Sequence, residues 1–212
     1  MAHPSSALTT FFKTSNRSLA LMMAAMRIQV KDEVRKDLQI SSTEITDMIR
    51  SSVVLSVSAM DAYFTDRFVE DFVSYIKARG PSRRMIAFLS DAGLDTAQAL
   101  EMAAMKRPHR RVRTLVQRHL ERYVTQKVKK IDELFSAYCI NDFCSCVQGR
   151  VGRKTLLRSV ELLVERRHQI VHNGDLNSHG RLQQVAPQEF LRRIKDVGTF
   201  VMAADEFLGE VL

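Results

Sequence analysis

Residues 41–81, from Ser41 to Pro81, read SSTEITDMIRSSVVLSVSAMDAYFTDRFVEDFVSYIKARGP. The stretch opens on Ser41-Ser42-Thr43-Glu44, the capping-box pattern in which a hydroxyl and a carboxylate each satisfy a free backbone amide at a helix start. Ile45, Ile49, Val53, Met60, Phe64, Phe68, Phe72 and Ile76 then recur at spacings of three or four, or their multiples, so one continuous face is apolar. Gly80-Pro81 ends the pattern. A long amphipathic helix is predicted between these two signals.

On its N-terminal side, helical periodicity runs roughly from Ala7 to Gln39, with a break at Ile40 to Thr43. On its C-terminal side, short helices are predicted at Ser82 to Ser90 and Asp95 to Met105, separated by a turn at Gly93. From Pro108 to about Cys139 the pattern is amphipathic again, with Val112, Leu115, Val116, Leu120, Tyr123, Val124 and Ile131 facing one way. After Gly149 a further helix runs from Lys154 to about His172 and is stopped by Asn173-Gly174. A polar loop, Asp175 to Ala186, leads to a last helix with Pro187 in its first turn and Phe190, Ile194, Val197, Val201 and Phe207 on its inner face. There is no internal repeat and no low-complexity tract.

The rest of the composition agrees with an all-α chain. Eight glycines and four prolines in 212 residues are few, and the leucines, methionines and alanines come in stretches unbroken by turn residues. The length is enough for one sizeable core, and a single domain over 1–212 is expected. Lysine and arginine outnumber aspartate and glutamate by 32 to 24, for a net charge of +8 and a pI near 9.7, a balance that favours polyanionic partners. Cys139, Cys144 and Cys146 lack the paired spacing of a structural zinc site and read as free thiols in a reducing cytoplasm. Leu19 to Met26 is too short to span a bilayer, so neither a signal peptide nor a membrane span is expected. No Gly-rich phosphate loop, no G-x-S-x-G elbow and no cysteine with a suitable base stands out, which argues against kinase, hydrolase and thiol chemistry.

The chemistry concentrates in Glu165-Arg166-Arg167-His168-Gln169-Ile170-Val171-His172-Asn173-Gly174-Asp175. Two arginines, two histidines and an asparagine finish a helix that is otherwise strongly apolar. A guanidinium supplies forked donors for phosphate oxygens, and an imidazole exchanges protons near neutral pH. Together they suit phosphodiester cleavage without a metal. His172 can deprotonate a ribose 2′-hydroxyl or protonate the departing 5′-oxygen, while Arg167 holds the scissile phosphate.

This segment resembles the signature of the HEPN superfamily, an arginine, a polar residue, three further residues and a histidine: here Arg167, His168, Gln169-Ile170-Val171 and His172. The continuation Asn173-Gly174 is similar as well, and Arg50 to Tyr63 resembles the long N-terminal helix of that family with its acidic residue mid-way. The resemblance is carried by Ser41 to Ala78 and Lys154 to Asp175; the basic region at about 81–149 is less typical. It implies a helical bundle with two long antiparallel helices and additional short ones. It further implies a metal-independent endoribonuclease working as a homodimer, with Arg167 and His172 as the catalytic pair and His168 in the intervening position. Such proteins often act as toxins or in phage defence, so an antitoxin or other regulatory partner belongs to the same expectation. On an ideal helix residues five apart do not share a face, and a two-fold dimer would let each protomer contribute to one cleft.

Each of these residues also has a plainer reading. Cations at a helix C-terminus favour the negative end of its dipole. Arg166 is either a second phosphate contact or a solvated neighbour, and Asn173 either touches substrate or stops the helix. His168 and His172, four apart, have the spacing of a shared metal, but without further ligands no metal and no cofactor is expected. Asp61 is the only charge between Ser51 and Phe64; it is either partly buried against a cation such as Arg167 or exposed on the polar side. Between Lys106 and Lys130 stand ten lysines and arginines against one acid, Glu121. Arg107, Arg111, Arg118, Arg122 and Lys129 fall on one stripe there, either tracking an RNA backbone or merely solvated. A non-catalytic helical module that binds RNA, a nucleotide or a partner is the alternative function.

Overall fold

The computed structural model describes residues 4–37 and 39–212, and among them the chain is all-helical, with no strand beyond an isolated bridge between Leu176 and Leu182. Met1, Ala2, His3 and Leu38, which fall within the expected domain and, for Leu38, the expected first helix, lie outside the described residues. The elements are α1 (Ser6–Val30), α2 (Asp32–Asp37), α3 (Ser42–Arg79), α4 (Arg83–Asp91), α5 (Thr96–Ala103), α6 (Pro108–Leu120), α7 (Val128–Phe135), α8 (Phe143–Val151), α9 (Leu156–Asn173) and α10 (Pro187–Val211). No described helix is long and apolar enough to cross a membrane.

The long helix α3 begins and ends where its local chemistry says. Ser41 Oγ accepts from the Glu44 amide, and the Glu44 carboxylate accepts from the Ser41 amide at 2.7 Å, closing the capping box. Gly80 terminates the helix at φ 71, a backbone region that favours glycine. All the residues of the expected apolar face are buried except Ile76, which is half-buried. Phe64 is the hub of the aromatic core: its ring meets Phe135, Phe143 and Phe200 at centroid distances of 6.1, 6.1 and 5.5 Å. These geometries add to the burial of three other elements against α3.

α1 lies antiparallel to α3 and forms the most extensive packing in the molecule. Glu70 caps the start of α1 through the Ser6 and Ala7 amides, both at 3.0 Å, while Ser18 Oγ donates to the Ser52 carbonyl at 2.7 Å. Small residues at Ser15, Ser18, Ala25, Ser52 and Ser56 are buried along this pair, letting the two helices approach closely. α9 and α10 pack on each other and both on α3.

Three sequence expectations differ from the structure. The first helix breaks at the extended Lys31 rather than continuing towards Gln39. The expected helix from Pro108 to Cys139 is divided: α6 stops at Leu120 and α7 starts at Val128. The cause lies across the fold, because Asp61 of α3 draws the intervening turn onto itself. It accepts from the Thr125 amide at 2.7 Å and from Gln126 Nε2 at 2.9 Å, with Thr125 Oγ1 at 2.5 Å. Helix α8, which buries Phe143, Cys144 and Val147, falls in a stretch read as having no element.

Candidate functional site

α9 presents Glu161, Glu165, His168 and His172 to solvent at spacings of three and four, while Leu156, Val160, Leu163 and Val164 are buried. The helix ends as Gly174 takes the left-handed conformation at φ 59, and the amides of Gly174 and Asp175 both return to the Gln169 carbonyl. Asp175 also has a positive φ, 60°, a conformation aspartate tolerates better than most side chains.

Asp175 is fully buried and fixes the geometry of this helix end. Its Oδ2 accepts from Arg50 Nε at 2.7 Å and from Arg166 Nη2 at 2.8 Å. Arg50 Nη2 then donates to the Gln183 carbonyl, and Arg166 donates to Gln183 Oε1 and to the Gln184 carbonyl. One carboxylate and two guanidiniums thus lock the start of α3, the end of α9 and the returning loop into one unit. The loop itself is a tight turn: Asn177 Oδ1 accepts from the His179 and Arg181 amides, with Leu176 paired to Leu182.

The two adjacent arginines therefore face different tasks. Arg166 is committed to Asp175 through Nη2 and stacks its guanidinium 5.6 Å from the Phe190 ring centroid, so it is not a solvated neighbour, while its Nε is buried without a partner. Arg167 is half-buried, and among the described residues it makes no hydrogen bond or ion pair; its Nε is buried without a partner. His168 and His172 are exposed and their rings lie 4.3 Å apart at 43°. Asn173 is exposed, and its carbonyl accepts from the Leu176 amide at 3.1 Å. The described residues contain no group of three His, Cys, Asp or Glu side chains that would add ligands to the histidine pair.

Other expected site residues lie elsewhere. Asp61 binds Thr125 and Gln126, so its partner is a turn and not Arg167. Arg107, Arg111, Arg118, Arg122 and Lys129 are all exposed, but they do not share one helix: Arg107 precedes α6, Arg111 and Arg118 lie on it, Arg122 is in the following turn and Lys129 is on α7. The three cysteines are free, with Cys144 buried and its thiol pushed well above the ordinary range by that burial. Sequence reading missed Arg50 and Gln183 as supports of the site. The available signal was Arg50 itself, a charge directly beside the buried Ile49.

A family model described as RiboL-PSP-HEPN matches residues 27–210, a span that includes the basic region at 81–149. No curated protein and no solved structure matches the chain.

Proposed function

The chain belongs to the RiboL-PSP-HEPN family, which is generally associated with ribonuclease activity, and from that premise we propose that it is a metal-independent endoribonuclease acting through Arg167 and His172. The observation that carries the reading is the division of labour at the end of α9. Arg166 is consumed by Asp175, whereas among the described residues the guanidinium of Arg167 meets no partner, and the same helix end carries two exposed imidazoles.

In the proposed reaction His172 removes the proton from a ribose 2′-hydroxyl, and the oxygen attacks the adjacent phosphorus. The bond to the 5′-oxygen breaks, an imidazolium returns a proton to that oxygen, and a 2′,3′-cyclic phosphate remains. Arg167 donates to the non-bridging phosphate oxygens as charge develops on them. His168 stands against His172 and holds its ring, while Asn173 lies at the mouth of the same helix end. The clamp of Arg50, Asp175 and Arg166 keeps these groups in register from behind.

Because Arg167 and His172 are five positions apart, the reading assigns them to a cleft shared by two protomers. The exposure of Val171, Leu176 and Leu182, at 47, 43 and 46%, supports an apolar contact next to the signature. A homodimer that cuts RNA and is restrained by a partner in a toxin or defence setting extends the same proposal. The experiment is a comparison of cleavage rate and RNA affinity in wild type and His172→Ala. Cleavage should fall by about 10²–10⁴-fold with affinity nearly unchanged; equal loss of both would assign His172 to binding.

A further inference from the structure

The turn after α4 and the C-terminal end of α6 flank an open cleft of about 490 Å³, lined by Asp91, Leu115, Arg118, His119, Arg122 and Tyr123 among others. That volume lies within the range of about 300–1,000 Å³ usual for small-ligand sites. It is separate from the end of α9. Thr125, just past the cleft, is tied to Asp61 of α3, and the clamp behind the signature is tied to Arg50. At 1.5 Å per residue those two anchor points are roughly 16 Å apart along α3.

We propose that this cleft binds one phosphorylated nucleotide unit, with the phosphate on Arg118 and Arg122 and the base against the His119 and Tyr123 rings. Arg118, in the last turn of α6, and Arg122, in the turn that follows it, both line the cleft and are exposed, and among the described residues neither makes a hydrogen bond or ion pair. Six other arginines, Arg50, Arg67, Arg150, Arg153, Arg166 and Arg193, are each committed to a carboxylate, whereas Arg118 and Arg122 keep their donors for a ligand. Two uncommitted guanidiniums lining the same cleft offer donors for phosphate oxygens.

The rings beside them are already held in place. His119 sits edge-on to Phe88 at 5.3 Å, and Tyr123 lies 6.3 Å from His119 at 39°. Tyr123 donates its hydroxyl to the Lys130 carbonyl, and the Lys130 ammonium covers one face of its ring at 5.8 Å. Fixed aromatic surfaces next to unpaired cations match a nucleotide whose base is unstacked, as in a single strand. Asp91, the one carboxylate of the lining, opposes a bare phosphate and offers an acceptor to ribose hydroxyls or base amino groups. The nucleotide chemistry rests on the cleft alone; a single-stranded RNA as its source, rather than a free nucleotide, rests on the ribonuclease reading.

The test uses His172→Ala protein, so that RNA is bound without being cut, and a labelled 12-nucleotide single-stranded RNA followed by fluorescence anisotropy. Arg118→Ala/Arg122→Ala should weaken binding about tenfold and flatten its salt dependence. Lys13→Ala/Arg17→Ala, an exposed i, i+4 pair on α1 with the same loss of charge, should change it less than about threefold. Calorimetry with AMP separates the two sources: AMP binding that the cleft variant abolishes, with RNA affinity unaltered, assigns the cleft to a free nucleotide. Equal losses in the two double variants, or no loss of RNA binding together with no AMP binding, overturn the site. Wild-type protein that never cuts RNA while the cleft effect persists would sink the ribonuclease reading and leave the cleft standing.

Discussion

Asp175 sits at a left-handed position directly after Gly174, fully buried between Arg50 and Arg166. Burying a charge is tolerable when it is paired and hydrogen-bonded, and removing one partner exposes the full desolvation cost of what remains. Asp175→Asn should therefore destabilise the protein by about 3 kcal/mol in urea unfolding, because Arg166 loses its carboxylate partner and the buried Arg50 is left with the exposed Asp47 alone. A loss below about 1 kcal/mol would show that the clamp contributes little. The chemistry-bearing types were legible in the sequence: an arginine, two histidines and an asparagine at a helix end stand out by composition. Which arginine is free was not legible, because the distinction is made by Asp175 together with Arg50, 125 positions earlier. No local pattern separates Arg166 from Arg167.

Elements defined by their own ends were legible, and those defined by distant partners were not. α3 carries both of its stop signals within its sequence, in Ser41 to Glu44 and in Gly80-Pro81. Ser41→Ala removes both hydroxyl bonds of the cap and should cost about 1 kcal/mol of unfolding free energy, with no change in fold by circular dichroism. An unchanged denaturation midpoint would mean that packing of α1 on α3 alone holds that end. The turn between α6 and α7 has no such local signal. Its residues continue an amphipathic pattern, and the helix breaks because Asp61, 64 positions away, satisfies the Thr125 amide and hydroxyl. α8 escaped for a different reason: it contains Gly149 and, unlike the similarly short α4 and α5 with their Ser82 and Asp95 caps, it starts without a side-chain cap.

At the scale of the whole molecule, a buried polar network joins α1, α3 and α10. Asp205 accepts from the Ser5 amide and hydroxyl and from the Tyr63 hydroxyl, while Arg67 lies between Asp205 and Asp71. Burial pushes the Asp71 carboxyl up to about 6, against the attraction of Arg67. An acid whose folded pKa exceeds its unfolded one binds more protons when folded, so its contribution to stability falls as pH rises from about 4 to about 6 and is constant above that. With allowance for partial access to water, the loss is about 2 kcal/mol. Asp71→Asn should remove that fall, which urea unfolding at pH 4.5 and pH 7 would register; parallel behaviour of the two proteins would contradict it. The same scale decides the central claim, since two protomers are assigned to one cleft for cutting RNA. The most direct measurement is incubation of the purified protein with total RNA in excess EDTA, beside His172→Ala, followed by analysis of the fragment ends. Wild type alone should yield fragments ending in 2′,3′-cyclic phosphate. RNA left intact by both proteins across a panel of RNAs and pH values, or cut equally by both, would contradict it.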